Sequence, residues 1–380
     1  MPLRHAASKL RLLLILAFVS TSCSTAVLVE KTTNGWKTAD LEEVGLKADI
    51  LANLVELVND GTYQNVHSIV IARDGKLVFE QYFPGYSWNF YEENFQGELT
   101  DFDPEELHNQ ASVTKSFTST LIGIAIDKGF INGVDDKLFN YFPEYAHLAD
   151  DRKNSITIEH LLTMTAGLEW NGLDVPINTR DPANDVLQLF LVDDPLEFIL
   201  SKPMVSEPGT DWYYNGGATV LLGEILRRAS GQGMDAFAEQ HLFGPLGITE
   251  YDWFFIQPDL IYASGNLRMR PRDMAKLGQL FLNEGKWTGE QIVSEQWIED
   301  AVETHSIPRW ADGYGYQWWI ESSVSGSHSY NSFYASGWGG QRILVFPQLD
   351  MVIVLTGGNY TRADSIKEII EDHLLPAVQG

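Results

Sequence analysis

Apolar residues alternate with polar or β-branched neighbours near both ends of the chain and recur at helical spacing through its middle. The run "DLEEVGLKADILANLVELVNDG" carries apolar side chains three and four apart and stops at Gly61, which predicts a helix. "VHSIVIARDGKLVFEQYF" is two β-rich runs around Asp74-Gly75, the dipeptide that a tight hairpin turn favours. A second hairpin is expected over Gln341 to Gly358, "QRILVFPQLDMVIVLTGG", with Pro347 to Asp350 in the turn, and "SIKEIIEDHLL" reads as a closing helix. Between these ends the period changes. "SITIEHLLTMTAGL", "DPLEFILSK", "GATVLLGEILRRASG", "DAFAEQHLFGPLG" and "PRDMAKLGQLFLNEG" read as helices broken by glycine or proline.

Strand pairs at both ends with helices between them are satisfied most economically by one antiparallel sheet. The expected fold is therefore α/β of the α+β type. An antiparallel sheet flanked by terminal helices is built from residues 38–130 and 315–380, with a mostly helical domain inserted over 131–314. A hydrophobic fraction of 44% over 380 residues supports a large core.

The first residues read as a targeting segment. Arg4, Lys9 and Arg11 precede "LLLILAFV", an apolar stretch too short to span a bilayer, and "STSC" follows, ending at Cys23. This resembles a bacterial lipoprotein signal over residues 1–23, in which Cys23 is lipidated and becomes the new N-terminus. Ser20 departs from that pattern, where an aliphatic residue is usual, and ordinary signal cleavage nearby is the other reading. Residues 24–37 would then be a tether. The expected location is exported: the bacterial periplasm, or a membrane surface held by the lipid. No later segment is apolar for long enough to span a membrane. Cys23 is the one cysteine, so no disulfide can form within the chain and no other thiol nucleophile exists.

A formal net charge of −26 repels polyanions and makes nucleic acid a poor partner. The nine histidines show no paired metal-ligand spacing, so no metal is expected. No Walker-type, Rossmann or Gly-x-Ser-x-Gly signature is present, which leaves no nucleotide cofactor to expect and argues against an α/β-hydrolase elbow.

The segment "NQASVTKSFTSTLIGIAIDKG", Asn109 to Gly129, offers chemistry. Ser112 and Lys115 stand three apart, hence on one face of a helix start. There, free backbone N–H groups favour developing negative charge. A serine hydroxyl is a weak nucleophile until a base takes its proton, and a lysine whose pKa is lowered by burial can be that base. The plain alternative is a capping serine and a surface lysine. The apolar run that follows favours burial of Lys115.

"SVTKSFTSTLIGIAIDKGFI" resembles the Ser-x-x-Lys motif of the serine β-lactamase and penicillin-binding-protein superfamily. "ITIEHLLTMTAGLEW" is similar to its "LLTHTSG" segment, with Met164 where histidine is common. "EPGTDWYYNGGATVLLGEILRRASG" is similar to its PG-x-x-x-x-Y-S-N motif, and "GNLRMRPRDMAKLGQLFLNEGKW" and "GWGGQRILVFPQLDMVIVLTGG" to later segments. The resemblance runs from about Leu41 to the C-terminus. It is nearest to class C β-lactamases and their relatives: esterases, D-aminopeptidases and 6-aminohexanoate-dimer hydrolases.

That resemblance implies site roles. Reading Tyr213-Tyr214-Asn215 as Tyr-x-Asn, it brings Tyr213 to Ser112 and Lys115. There a tyrosinate beside a lysine ammonium would relay a proton, and Tyr214 would pack nearby. Asn215 would bond Lys115 or the substrate's carbonyl side. The backbone N–H groups of Ser112 and Trp338 would form the oxyanion hole, with Ser336 and Gly337 lining the substrate. The third motif departs from the family, because Ala335 stands where Lys or His supplies a cation. This weakens a penicillinase or D-Ala-D-Ala reading. Arg342 reads better as a strand-surface charge than as a substitute. Trp310, Tyr314, Tyr316, Trp318 and Trp319 could wall an apolar pocket, although core packing is the stronger reading for Trp318 and Trp319.

The resulting expectation is an exported serine hydrolase that cleaves a small-molecule ester or amide through a Ser112 acyl-enzyme, without a cofactor. A weak β-lactamase or D-amino-acid peptidase, and a non-catalytic cell-envelope binding protein, stand as alternatives. The oligomeric state is not legible in the sequence.

Overall fold

The computed structural model describes residues 35–92 and 94–379. The expected leader over 1–23, the expected acylation of Cys23 and most of the expected 24–37 tether lie outside the described residues. Residues 35–37 are not a loose tether. Trp36 is buried and its indole N–H donates to the Arg272 carbonyl at 3.0 Å, and Lys37 already pairs with Lys76.

Strands β1 (Lys37–Thr38), β2 (Val66–Arg73) and β3 (Lys76–Tyr82) come from the N-terminal end. Strands β4 (Gly313–Tyr314), β5 (Trp319–Ser325), β6 (His328–Gly337), β7 (Gln341–Phe346) and β8 (Met351–Gly357) come from the C-terminal end. They form one eight-stranded sheet in the order β1-β3-β2-β8-β7-β6-β5-β4. β1 runs parallel to β3 at one edge, and every other neighbouring pair is antiparallel. The two contributions meet where β2 pairs with β8, from Val66 opposite Gly357 to Arg73 opposite Met351. Asp74 and Gly75 both have positive φ, 52° and 68°, as a two-residue hairpin turn with the strands' own twist requires.

The central strands β2, β8 and β7 are buried on both faces, so their two alternating sets of side chains feed different cores. Ile69, Ile71, Met351, Ile353 and Leu355 pack with helix α1 (Ala48–Asn59) and with the C-terminal helix, which begins at Ile366. Val70, Ala72, Ile343, Val345, Val352 and Val354 face the larger core, which also holds helices α2 (Thr114–Asp127) and α3 (Gly216–Ser230).

Helix α4 (Pro271–Leu282) shifts the expected domain boundary. It falls inside the 131–314 stretch but lies on the sheet. Gly278 makes the close approach possible: a Cβ there would sit 2.5 Å from Val352 Cγ1 and 2.9 Å from Ile343 Cγ2. The Arg272 guanidinium forks onto the buried Glu80 carboxylate of β3 at 3.0 and 2.9 Å and anchors the N-terminal end of the helix. β4 also begins before 315, so the sheet layer takes two elements from the stretch expected to be helical.

Candidate active site

The turn that carries Ser112 packs beside β6 and leads into α2. Residues Ala111–Val113 form one 3-10 turn that runs into α2. Ala111 has φ 47°, left-handed backbone that a side chain adopts only when its surroundings hold it there. The restraints are visible. Its N–H donates to Asn109 Oδ1 at 2.7 Å, and its carbonyl accepts from Thr114 Oγ1 at 2.7 Å and from the Asn266 N–H at 3.3 Å. The Leu267 N–H closes onto Thr114 Oγ1 at 3.1 Å, and the Gln110 N–H onto the Leu267 carbonyl at 3.0 Å. Residues 266–267 thus clasp the turn that presents Ser112.

Lys115 is buried with the start of α2. Its Nζ lies 3.0 Å from Ser112 Oγ and donates to the Ser264 carbonyl at 2.6 Å. Loss of water around the ammonium pulls its pKa from the ordinary lysine value down to about 7. Half of such a population is a free amine near neutrality.

The structure reassigns the tyrosine. Tyr213 turns away: its hydroxyl donates to Asp174 Oδ2 at 2.5 Å, and its pKa is pushed up to about 12, by burial first and the Asp174 hydrogen bond second. Tyr214 takes the place expected of Tyr213. Its hydroxyl shares a hydrogen bond with Ser112, and Lys115 Nζ stands 4.9 Å from its ring centroid. Burial pushes Tyr214 up to about 12, against the opposing effect of the Ser112 bond, so it is a phenol near neutrality and not the tyrosinate expected. A signal for this was present. Four residues, Thr210 to Tyr213, separate Gly209 from Tyr214, as in the PG-x-x-x-x-Y spacing. With Tyr214 in that place, Asn215 falls on the family's serine position. Asn215 does not reach Lys115. Its Oδ1 accepts from the Ala218 N–H at 3.0 Å and caps α3, while its Nδ2 holds the Leu168 carbonyl at 3.3 Å.

Gly337 ends β6 against the turn that carries Ser112, and a Cβ there would stand 2.2 Å from the Gln110 carbonyl oxygen. Trp338 follows directly in the chain. Ser336 is half-buried and pairs with Arg342 across β6 and β7. Ala335 is fully buried. Arg342 is engaged elsewhere: its Nη1 donates to the carbonyls of Gly337 at 3.1 Å and Gln341 at 2.8 Å, and its Nη2 faces Asp364 at 3.5 Å. It staples the turn after β6 and is not free to replace the missing cation.

The aromatic segment divides. Trp318 is fully buried against Phe281 and Phe333, and Tyr316 packs on Trp297 and His305. Trp319 instead stacks on Tyr214, and Trp212 joins both with Tyr314 and the exposed Trp310. This ring pile leads away from Tyr214 toward the surface.

Gln317 went unread in the sequence. It has φ 64° and is buried. Its Nε2 donates to the carbonyls of Leu161 (3.1 Å) and Leu162 (2.8 Å), its Oε1 accepts from Thr219, and its main-chain carbonyl accepts from Ser116 Oγ of α2. It ties α2 to α3 just below the site. Among the described residues no group of three or more His, Cys, Asp or Glu could hold a metal ion, and no helix is long and apolar enough to cross a membrane.

Comparison with known proteins gives the family and the fold. The family model described as Beta-lactamase matches residues 64–369, and the chain belongs to that family. The 6-aminohexanoate-dimer hydrolase of Paenarthrobacter ureafaciens is 25% identical over 67% of this chain and 66% of its own length. Esterase EstB of Burkholderia gladioli is 29% identical over 41% of this chain and 40% of its own. The chain thus spans less than two thirds of the length of either relative. Among solved structures, EstCE1, a hydrolase with promiscuous acyltransferase activity, superposes with a TM-score of 0.67 at 17% identity, covering 90% of this chain and 98% of its own. The octameric penicillin-binding protein homologue from Pyrococcus abyssi superposes with a TM-score of 0.63 at 21% identity, covering 86% of this chain and 76% of its own. These structures share the fold expected from the sequence.

Proposed function

We propose that the protein is a serine hydrolase that cleaves an ester or a neutral amide through an acyl-enzyme on Ser112. The observation that carries this reading is the buried Lys115 amine, 3.0 Å from Ser112 Oγ, with a pKa near 7. The unprotonated amine takes the Ser112 proton as Oγ attacks the carbonyl carbon. The N–H groups of Ser112 and Trp338 receive the oxyanion. As the tetrahedral species collapses, the carbonyl carbon–leaving group bond breaks, and Lys115, through the Tyr214 phenol, returns the proton to the departing alcohol or amine. Water repeats the sequence, releases the acid and restores Ser112.

Ala335 and the engaged Arg342 favour substrates without a carboxylate at the position that β-lactams and D-Ala-D-Ala peptides would present to this strand. The names of two relatives, an esterase and a 6-aminohexanoate-dimer hydrolase, support an ester or an amide as the bond cleaved. The proposal includes export and acylation of Cys23. That part rests on residues 1–23 as sequence and is tested by metabolic labelling with a fatty acid in wild type and Cys23→Ala.

The test of the chemistry is turnover of p-nitrophenyl butyrate together with intact mass after a fluorophosphonate probe, with Ser112→Ala as control. A mass adduct and turnover that both vanish in the variant support the reading. A folded wild type with neither result overturns it in favour of a non-catalytic envelope binding protein.

A further inference from the structure

The backbone after Trp338 has little stiffness of its own. Gly339 and Gly340 follow with φ 91° and 97°, left-handed values that only glycine adopts without strain. An oxyanion donor placed at the start of such a turn needs its orientation fixed from outside. The Trp338 ring supplies the handle. Phe95 meets it edge-on on one side, with centroids 4.9 Å apart at 72°, and Tyr360 on the other, at 5.3 Å and 74°. The turn also runs close against Tyr360, since a Cβ on Gly339 would stand 2.4 Å from its ring.

Phe95 is an unusual residue to find in that place. It belongs to the tip of an arm whose stem pairs Pro84–Trp88 with Gln96–Asp101, yet it is fully buried. Its φ is 59°, a conformation that a bulky side chain holds only under external restraint. Part of the restraint comes from the arm itself: the Phe95 N–H donates to the Glu92 carbonyl at 3.1 Å, and the Phe95 carbonyl accepts from the Asn89 N–H at 2.9 Å. The rest comes from Arg180, in a different segment. Its guanidinium donates to the Phe90 carbonyl at 3.0 Å and also to that of Glu92, and lies over the rings of Phe90 and Phe95 at 5.7 and 5.3 Å. Arg180 sits at the end of the turn Ile177–Thr179, in the loop braced by Asn184 through the Val175 carbonyl at 2.5 Å. One cation therefore caps two carbonyls of the arm tip and covers the ring that presses on Trp338.

We infer that Phe95 and Arg180 are positioning residues for the oxyanion donor: Arg180 locks the arm tip, and Phe95 wedges Trp338 so that its backbone N–H faces the reacting carbonyl. This rests on the reading of Ser112 as nucleophile and of the Trp338 N–H as oxyanion donor. A wedge of this kind acts on the tetrahedral state more than on bound substrate, so its loss falls on kcat. Removing one oxyanion donor outright costs about 100- to 1,000-fold in kcat, and loosening one costs less, about 10-fold.

The test compares Arg180→Ala, Arg180→Lys and Phe95→Leu with wild type on p-nitrophenyl butyrate. It also measures inhibition by phenylboronic acid, whose serine adduct is tetrahedral and needs the oxyanion hole. The expected result is a kcat about 10-fold lower in Arg180→Ala with KM within about two-fold, partial recovery in Arg180→Lys, and boronate binding weakened in parallel. Arg180 is exposed, so its variants report even if Phe95→Leu fails to fold. A raised KM with kcat intact, unchanged kinetics, or a lost kcat with boronate binding intact would each overturn the inference. If Ser112→Ala keeps its turnover, the nucleophile assignment has failed, and that outcome is read from a different variant.

Discussion

Tyr213 and Tyr214 are neighbours whose hydroxyls serve different partners: Tyr213 donates to Asp174 at 2.5 Å, and Tyr214 shares a hydrogen bond with Ser112. The backbone between them sets this divergence. Asn215 starts α3 as its cap, and the Tyr213 N–H is held by the Met164 carbonyl at 2.8 Å. Tyr214→Phe removes a hydroxyl from the reacting serine and is expected to lower kcat by about 100-fold or more, the scale of a lost proton-transfer group. Tyr213→Phe is expected to cost a few-fold at most. Steady-state turnover of p-nitrophenyl butyrate checks the pair, and a larger loss in Tyr213→Phe would reverse the assignment.

The pH profile follows from Lys115. Burial lowers its pKa to about 7, and the base is the unprotonated form. Therefore kcat/KM should rise as pH increases, with a midpoint near 7, and then level off, because Tyr214 keeps its proton until about 12. The same lowering has a stability consequence. Between the folded value near 7 and the unfolded lysine value of 10.5, the unfolded chain binds more protons, so this group's contribution to stability increases with pH across that window. An activity profile that is flat from about pH 5.5 to about pH 9 would remove Lys115 as the base.

Gln317 carries no reacting atom but joins the helices beneath the site. Gln317→Leu would leave the Leu161 carbonyl and the Thr219 hydroxyl without this partner in a dry interior, while the Leu162 carbonyl keeps the residue's main-chain N–H at 3.1 Å. The expected cost is about 3 kcal/mol in urea-induced unfolding. A change below about 0.5 kcal/mol would mean that water replaces the side chain.

At Gly337 there is no room for a methyl group. A Cβ would stand 2.2 Å from the Gln110 carbonyl oxygen, a backbone atom that cannot swing aside. Gly337→Ala should push the end of β6 off the nucleophile turn and lower kcat by about 100-fold, comparable with loss of an oxyanion donor. Wild-type turnover in this variant would show that the Trp338 N–H plays no part.

Features that depend on neighbours in sequence were legible. Asp74-Gly75 announced its hairpin because the turn is a property of two residues. Ser112 and Lys115 announced their contact because one helical turn sets it. Two adjacent tyrosines defeated the same logic, since only the exit angle into α3 decides which one faces Ser112. Asn215 was read as a site residue because its type suits both a cap and a carbonyl contact, and the cap won. Helix α4 was read correctly as a helix and placed in the wrong layer, because the partner of its Gly278 face, Val352, lies 74 residues on. Phe95, Arg180 and Gln317 gave no local signal. Their roles exist only once distant segments meet.

The seam between β2 and β8 has a consequence for biosynthesis. The hairpin that opens the sheet emerges from the ribosome before the helical stretch, but its pairing partner, Met351–Gly357, is made only after that whole stretch. Until then the β2 edge is unpaired, and the turn bearing Ser112 lacks the backbone of Gly337 beside it. Contacts of such long sequence separation form late. A premature stop codon anywhere before this strand would therefore yield a chain with an open, aggregation-prone edge instead of a shortened enzyme, and the cell would meet it as a substrate for proteolysis.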